Sequence, residues 1–215
     1  MSAENCPLKI FPKEISSEEA KRKDKYVSFD IPVDPNTPDG LKATHEFRRL
    51  DQTDAESVLS FIEKMDELII NLDIAEGSPR FRIIRTLLGG DAAKKWNTIA
   101  AGIAPQVADQ TQPNFKACIE KFLLTYMDRE ISIDTKEWFQ VLKKPKSMTV
   151  QGFLARLREL NDLIEYMPST SSGPPALLTP KFTEAKLAVI LRKACPKSWR
   201  DAQVKANMKG LDLNE

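Results

Sequence analysis

Nucleophilic or metal-centred chemistry in this chain would have to come from one histidine, His45, and three cysteines, Cys6, Cys118 and Cys195. A thiol or hydroxyl nucleophile needs a base within hydrogen-bond reach and a third group to orient that base. Nothing in the spacing of these residues suggests a Cys–His or Ser–His–Asp arrangement. A structural zinc needs four clustered nitrogen or sulfur ligands, and the cysteines are widely separated. Gly89-Gly90-Asp91 lacks the lysine and preceding strand of a phosphate loop, and reads as a turn between helices. The acidic pair Glu18-Glu19 lies in a polar N-terminal stretch, and the D-[ST]-G signature of an aspartic protease is absent. The expectation is therefore a non-enzyme without metal or cofactor. His45 falls in a predicted strand and Cys118 on an apolar helical face, so both read as structural residues.

The elements that would position any functional surface are helices, and the strongest signal lies between Lys144 and Glu165. Val150, Phe153, Leu154, Leu157, Leu160, Leu163 and Ile164 recur three or four residues apart, which places them on one stripe. Ser147 or Thr149 can cap the start by accepting from backbone N–H groups that have no intrahelical partner. Arg156 borders this stripe, where a guanidinium is expected to hydrogen-bond a neighbouring loop or helix end.

Length and composition narrow the class. The 215 residues suffice for one large or two small domains, and the 41% hydrophobic content is enough for real cores. Few glycines and little β-branched alternation favour helices. A formal charge of +1 makes the whole molecule a poor electrostatic partner for nucleic acid or anionic membrane. An odd, dispersed set of cysteines fits reduced thiols in the cytoplasm. No apolar run approaches the ~20 residues that cross a bilayer, and the polar N-terminus lacks a signal-peptide apolar region.

Along the chain, residues 1–24 form a mixed-charge tail expected to be weakly ordered. Lys25–Val33 alternates in polarity and could pair with residues 43–50 across a turn-rich DPNTPDG, giving a short β-ribbon near residues 25–50. A helix from Asp54 to Leu72 follows, with Thr53 and Glu56 as a capping box and Gly77 as its breaker. A second starts at Ser78-Pro79 and ends at Gly89-Gly90. Further helices are predicted over Asp91–Ala101, Asn114–Tyr126 and Ile133–Leu142. Lys143, Lys144, Pro145 and Lys146 read as a linker and interdomain hinge. Beyond the 149–165 helix, a proline-rich loop leads to a helix with Thr179 as cap and Pro180 as its first residue, running to Ala194. Another helix after Pro196 carries Trp199, and Asp212 looks like the cap of a helix continuing past Glu215.

The order of SVLSFIEKMDELI, RFRIIRTLLGGDAAKKW, FKACIEKFLLTYM and MTVQGFLARLRELNDLI resembles the Gag capsid region of long-terminal-repeat retrotransposons of Ty3/gypsy or copia type, in the retroviral capsid superfamily. The resemblance covers residues 26–213. It rests on Phe61 and Met65 in the first helix, and on Arg80, Leu87, Gly89, Ala92 and Trp96 in the second segment. Phe115 and Phe122 match in the fourth helix. Val150, Phe153, Arg156, Leu157 and Leu160 look like the retrotransposon form of the major homology region. The Gln, Gly and Glu that precede this helix in retroviruses are replaced by Lys144, Pro145 and Met148, so that hydrogen-bond network does not carry over. No zinc-knuckle spacing is present.

What the resemblance implies is an all-α chain of two small helical bundles. Residues 25–143 would be a capsid N-terminal-like domain forming hexameric or pentameric rings. Residues 147–215 would be a C-terminal-like domain that joins rings by a dimer contact, with Trp199 as candidate. The implied function is a self-assembling shell that packages element RNA, the RNA being bound by a region outside this chain. The alternative is a domesticated, Gag-derived helical adaptor that binds partner proteins or RNA, using an apolar groove between the first and fourth helices.

Overall fold

The computed structural model describes residues 8–11, 25–32, 41–51, 54–168 and 180–196. These residues are mostly helical, with one small antiparallel sheet. Strands β1 (Tyr26–Pro32) and β2 (Lys42–Arg48) are followed by α1 (Ala55–Asn71), α2 (Ser78–Leu87), α3 (Gly90–Ile103), α4 (Gln112–Leu123), α5 (Ile131–Val141), α6 (Val150–Leu163) and α7 (Glu184–Ala194). Short 3₁₀ turns occupy Val107–Asp109 and Ile164–Tyr166. The chain divides into two compact units between Met127 and Asp128. One contains the described residues of 25–127, and the other those of 128–196 together with 8–11.

In the first unit the ribbon pairs Val27 with Phe47, Phe29 with His45 and Ile31 with Ala43. A two-stranded ribbon is marginal by itself, and here it is anchored twice. Phe47 is buried and meets Phe61 of α1 edge-to-face, with ring centroids 5.7 Å apart. Just past β2, the Leu50 amide donates to the Leu87 carbonyl at 3.0 Å, and the Leu50 carbonyl accepts from the Gly89 amide at 3.0 Å. This bridge pins the end of the ribbon into the corner between α2 and α3. The Lys25 ammonium also pairs with the Asp51 carboxylate.

Helix α1 buries Val58, Leu59, Phe61, Ile62, Met65, Leu68 and Ile69, the face that its period dictates. Its cap is Asp54, whose carboxylate accepts from the Ser57 amide at 3.0 Å. The expected partner Thr53 lies outside the described residues. The helix ends well before Gly77, at Asn71, and Asp73 takes a left-handed conformation with φ of 46°. An aspartate tolerates that region because its short polar side chain can bond locally. Helix α2 starts at Ser78 as predicted, with Pro79 in its first turn, but Gly77 holds the cap position and Ser78 supplies no side-chain cap. Gly77 has φ of 81°, and a Cβ there would lie 2.8 Å from the Gln110 carbonyl oxygen. Both constraints demand glycine. Gly77→Ala should cost about 1–3 kcal/mol, readable as a lowered urea midpoint.

The core of this unit is aromatic. Trp96 of α3 is fully buried among Phe81, Phe115 and Phe122, with centroid distances of 6.0, 6.0 and 5.9 Å. Phe122 in turn stacks edge-on against Tyr126 at 5.2 Å, and the Lys95 ammonium sits 4.1 Å from the Tyr126 ring centre. Cys118, also fully buried, has its thiol pushed up to about 11 by burial, as befits a core residue. Asp66 on α1 has its carboxyl raised above the usual range by burial, an effect that Arg80 and Lys116 partly oppose. The folded state therefore favours protonated Asp66. That preference adds stability below the unfolded carboxylate range and is lost as pH rises through the folded value. Asp66→Asn should raise the melting temperature at neutral pH, and the gain should vanish in acid.

The second unit differs from the expected boundaries at three points. Helix α5 does not close the first domain at residue 143; it belongs to the second unit. Its Phe139 is fully buried and lies 5.6 Å from the ring of Phe182, just ahead of α7. Part of the N-terminal tail also belongs here, since Leu8 is 1% exposed. Third, α7 begins at Glu184 and not at Pro180, because Thr183 is the residue whose hydroxyl accepts from a backbone amide, that of Lys186 at 3.3 Å. The proposed cap Thr179 and the Trp199 helix lie outside the described residues.

Candidate functional site

Helix α6 is the backbone of a cluster in which the residues that resemble the major homology region lie together. Thr149 caps it, its hydroxyl accepting from the Gly152 amide at 3.0 Å. Phe153, Leu157 and Leu160 are fully buried and Val150 is half-buried. Arg156 sits among them at 4% exposure. Position 156 follows Phe153 by three, so the helical period carries its aliphatic stem inward and the guanidinium to the edge of the core.

That guanidinium is not idle. Its Nη2 donates to the carbonyl oxygen of Lys9 at 2.7 Å, across 147 positions of sequence. Its Nη1 lies 2.9 Å from the Glu159 carboxylate, one turn on. A hydrogen bond donated by a cation to a carbonyl is stronger than a neutral one. The pairing therefore fixes the Leu8–Lys9 backbone against α6, while the Leu8 side chain is buried in the same unit.

Asn161, on the same stripe four residues after Leu157, makes a second staple. Its Oδ1 accepts from the Phe182 amide at 2.8 Å, and its Nδ2 donates to the Phe182 carbonyl at 2.9 Å. Asn161 thus stands in for a strand partner and fixes the approach to α7. Around this point Arg158 donates to Glu184 through Nε and Nη2, at 3.2 and 2.8 Å. Lys181 reaches Asp162 at 2.7 Å and Glu165 at 3.4 Å. The hydrogen bond to Asp162 chiefly holds the Lys181 ammonium above the usual lysine range. The buried staple should dominate these exposed pairs, which contribute little. Asn161→Asp removes the donor and sets a carboxylate against the Phe182 carbonyl. A loss of about 1–3 kcal/mol is expected, measured by chemical denaturation at neutral pH.

The predicted hinge residues occupy the α5–α6 connection inside the second unit. The Lys144 amide donates to the Ala194 carbonyl at 3.1 Å, and its ammonium donates to the Pro145 and Met148 carbonyls at 2.8 and 2.5 Å. Lys143 and Lys146 are exposed. Lys144 therefore acts as a clasp between the two helices and the end of α7. Residues 143–146, expected as a hinge, thus fall within this unit, where one lysine ammonium satisfies two carbonyls of a tight turn at once.

Sequence reasoning also missed Asn161 and the Leu8–Lys9 segment. A polar amide at a stripe position was the available signal for Asn161. Leu8 carried none, since its burial depends on a partner far along the chain. Trp199, the candidate dimer contact, lies outside the described residues. His45 is exposed. Among the described residues no His, Cys, Asp and Glu side chains group to hold a metal ion, and no helix is long and apolar enough to cross a membrane. No family model, curated protein or solved structure matches this chain.

Proposed function

We propose that this chain is a structural protein that assembles with copies of itself, the capsid portion of a retrotransposon Gag. In this reading it forms hexameric or pentameric rings and dimer contacts between rings, in the cytoplasm, and needs no cofactor. Element RNA would be bound by a region outside this chain. The observation that carries the reading is the arrangement around α6: a compact second unit built on a helix whose Phe153, Leu157 and Leu160 are buried and whose buried Arg156 fastens a distant piece of backbone. A separate helical unit precedes it, as a ring-forming domain would. Shells built from many weak contacts need rigid blocks of this kind and a surface near charge neutrality, which the +1 formal charge supplies.

The test is direct. Purified protein should sediment as a concentration-dependent series of oligomers, with rings or particles in negative-stain images as salt is raised. A molecule that stays monomeric at high concentration under all salt and pH conditions tried would overturn the reading. A discrete complex with a partner protein and no particles would point to the adaptor instead.

A further inference from the structure

The contact between Arg156 and Lys9 recognises backbone, since the guanidinium bonds a carbonyl oxygen that any residue would offer. Identity is read next door, where Leu8 is buried, while Phe11 remains 52% exposed. The site is therefore a small socket for a Leu-x dipeptide, with one apolar anchor and one backbone acceptor. In sequence, the whole unit of residues 25–127 intervenes between this segment and its socket. Loop closure grows costlier with length, modestly for each doubling, so the segment's effective concentration at its own socket falls at or below the mM range of short flexible linkers. A second copy offers the identical Leu8–Phe11 segment. Once copies are crowded to comparable concentration, that segment competes on equal terms, as in an exchange of like elements between protomers.

We propose that the Leu8–Arg156 socket is an exchangeable docking site whose second occupant is the Leu8–Phe11 segment of another copy of this chain. At dilution each copy fills its own socket. In an assembly, segments pass between neighbours and link them. The inference rests on the self-association reading above, to which it adds a specific link.

The probe is a fluorescein-labelled peptide spanning Pro7–Pro12. It should bind full-length Leu8→Asp protein, whose own segment cannot compete, at least about tenfold more tightly than it binds the intact chain. A chain starting at Lys13 should behave like Leu8→Asp. Peptides carrying Leu8→Asp, or an ester in place of the Lys9–Ile10 amide that weakens the carbonyl acceptor, should lose most of that affinity. Excess unmodified peptide should shift oligomers of the intact chain toward monomer without changing far-ultraviolet circular dichroism. Equal peptide affinity for the intact and Leu8→Asp chains, or no binding to either receptive chain, overturns the socket. Oligomers that form but ignore saturating peptide overturn the exchange alone. Absence of oligomers at every concentration overturns the exchange together with the shell reading.

Discussion

Trp96→Ala is expected to lower the stability of the 25–127 unit by about 3–5 kcal/mol, the range for emptying a fully buried indole site. The indole packs against three phenyl rings, so the deletion opens a void between them. Against total stabilities of about 5–15 kcal/mol for a domain, the loss is a large share of what holds this unit folded. Calorimetry should show the transition of this unit moving down while that of residues 128–196 stays in place. A Trp96→Phe chain should recover much of the loss, because a ring still fills most of the volume. If Trp96→Ala instead leaves both transitions unchanged, the aromatic cluster is not the core of this unit.

Arg156→Ala should cost the second unit about 2–4 kcal/mol, from a carbonyl stranded without its donor and from lost packing of the aliphatic stem. The comparison that decides the cause is with Arg156→Met and Arg156→Lys. Methionine keeps the stem and removes the buried charge, and such exchanges can be nearly neutral. Lysine keeps the charge and loses the planar fork. If stability follows stem volume, Met should restore most of it. Binding of the Pro7–Pro12 peptide should instead fail in the Ala and Met chains alike and be only partly restored by Lys. Pairing each change with Leu8→Asp in a double-mutant cycle should give a clear coupling energy, since both act on one contact. A coupling of zero would separate Leu8 from Arg156.

How far the sequence alone reaches can be judged element by element. Periodicity located α1, expected over Asp54–Leu72 and found over Ala55–Asn71, because a stripe of nine-tenths-buried side chains leaves a strong three-and-four rhythm. The ribbon was legible from alternation and a turn-rich spacer, and β1 and β2 do pair, Tyr26 with Arg48 through Pro32 with Lys42. Cap identities were less legible. Thr53 and Asp54 are both good caps, as are Thr179 and Thr183, and the choice is made by where the chain turns. The candidate site was half visible. Phe153, Arg156, Leu157 and Leu160 announce themselves by spacing, whereas Lys9 and Phe182 contribute backbone atoms, which leave no trace in residue type. The boundary placed at 143 followed a run of lysines and a proline. What decides it is where Phe139 finds a ring to pack on, a long-range fact that composition does not hold.

The membership of α5 governs how this protein can be taken apart. A piece that begins at residue 147 leaves Phe182 without its aromatic cover and the Ala194 carbonyl without the Lys144 amide. A cut ahead of Asp128 keeps α5, and adding back residues 8–11 as a separate strand completes the piece. Expression of the two halves divided there should yield soluble, independently melting products, whereas division at 143 should send one of them into inclusion bodies.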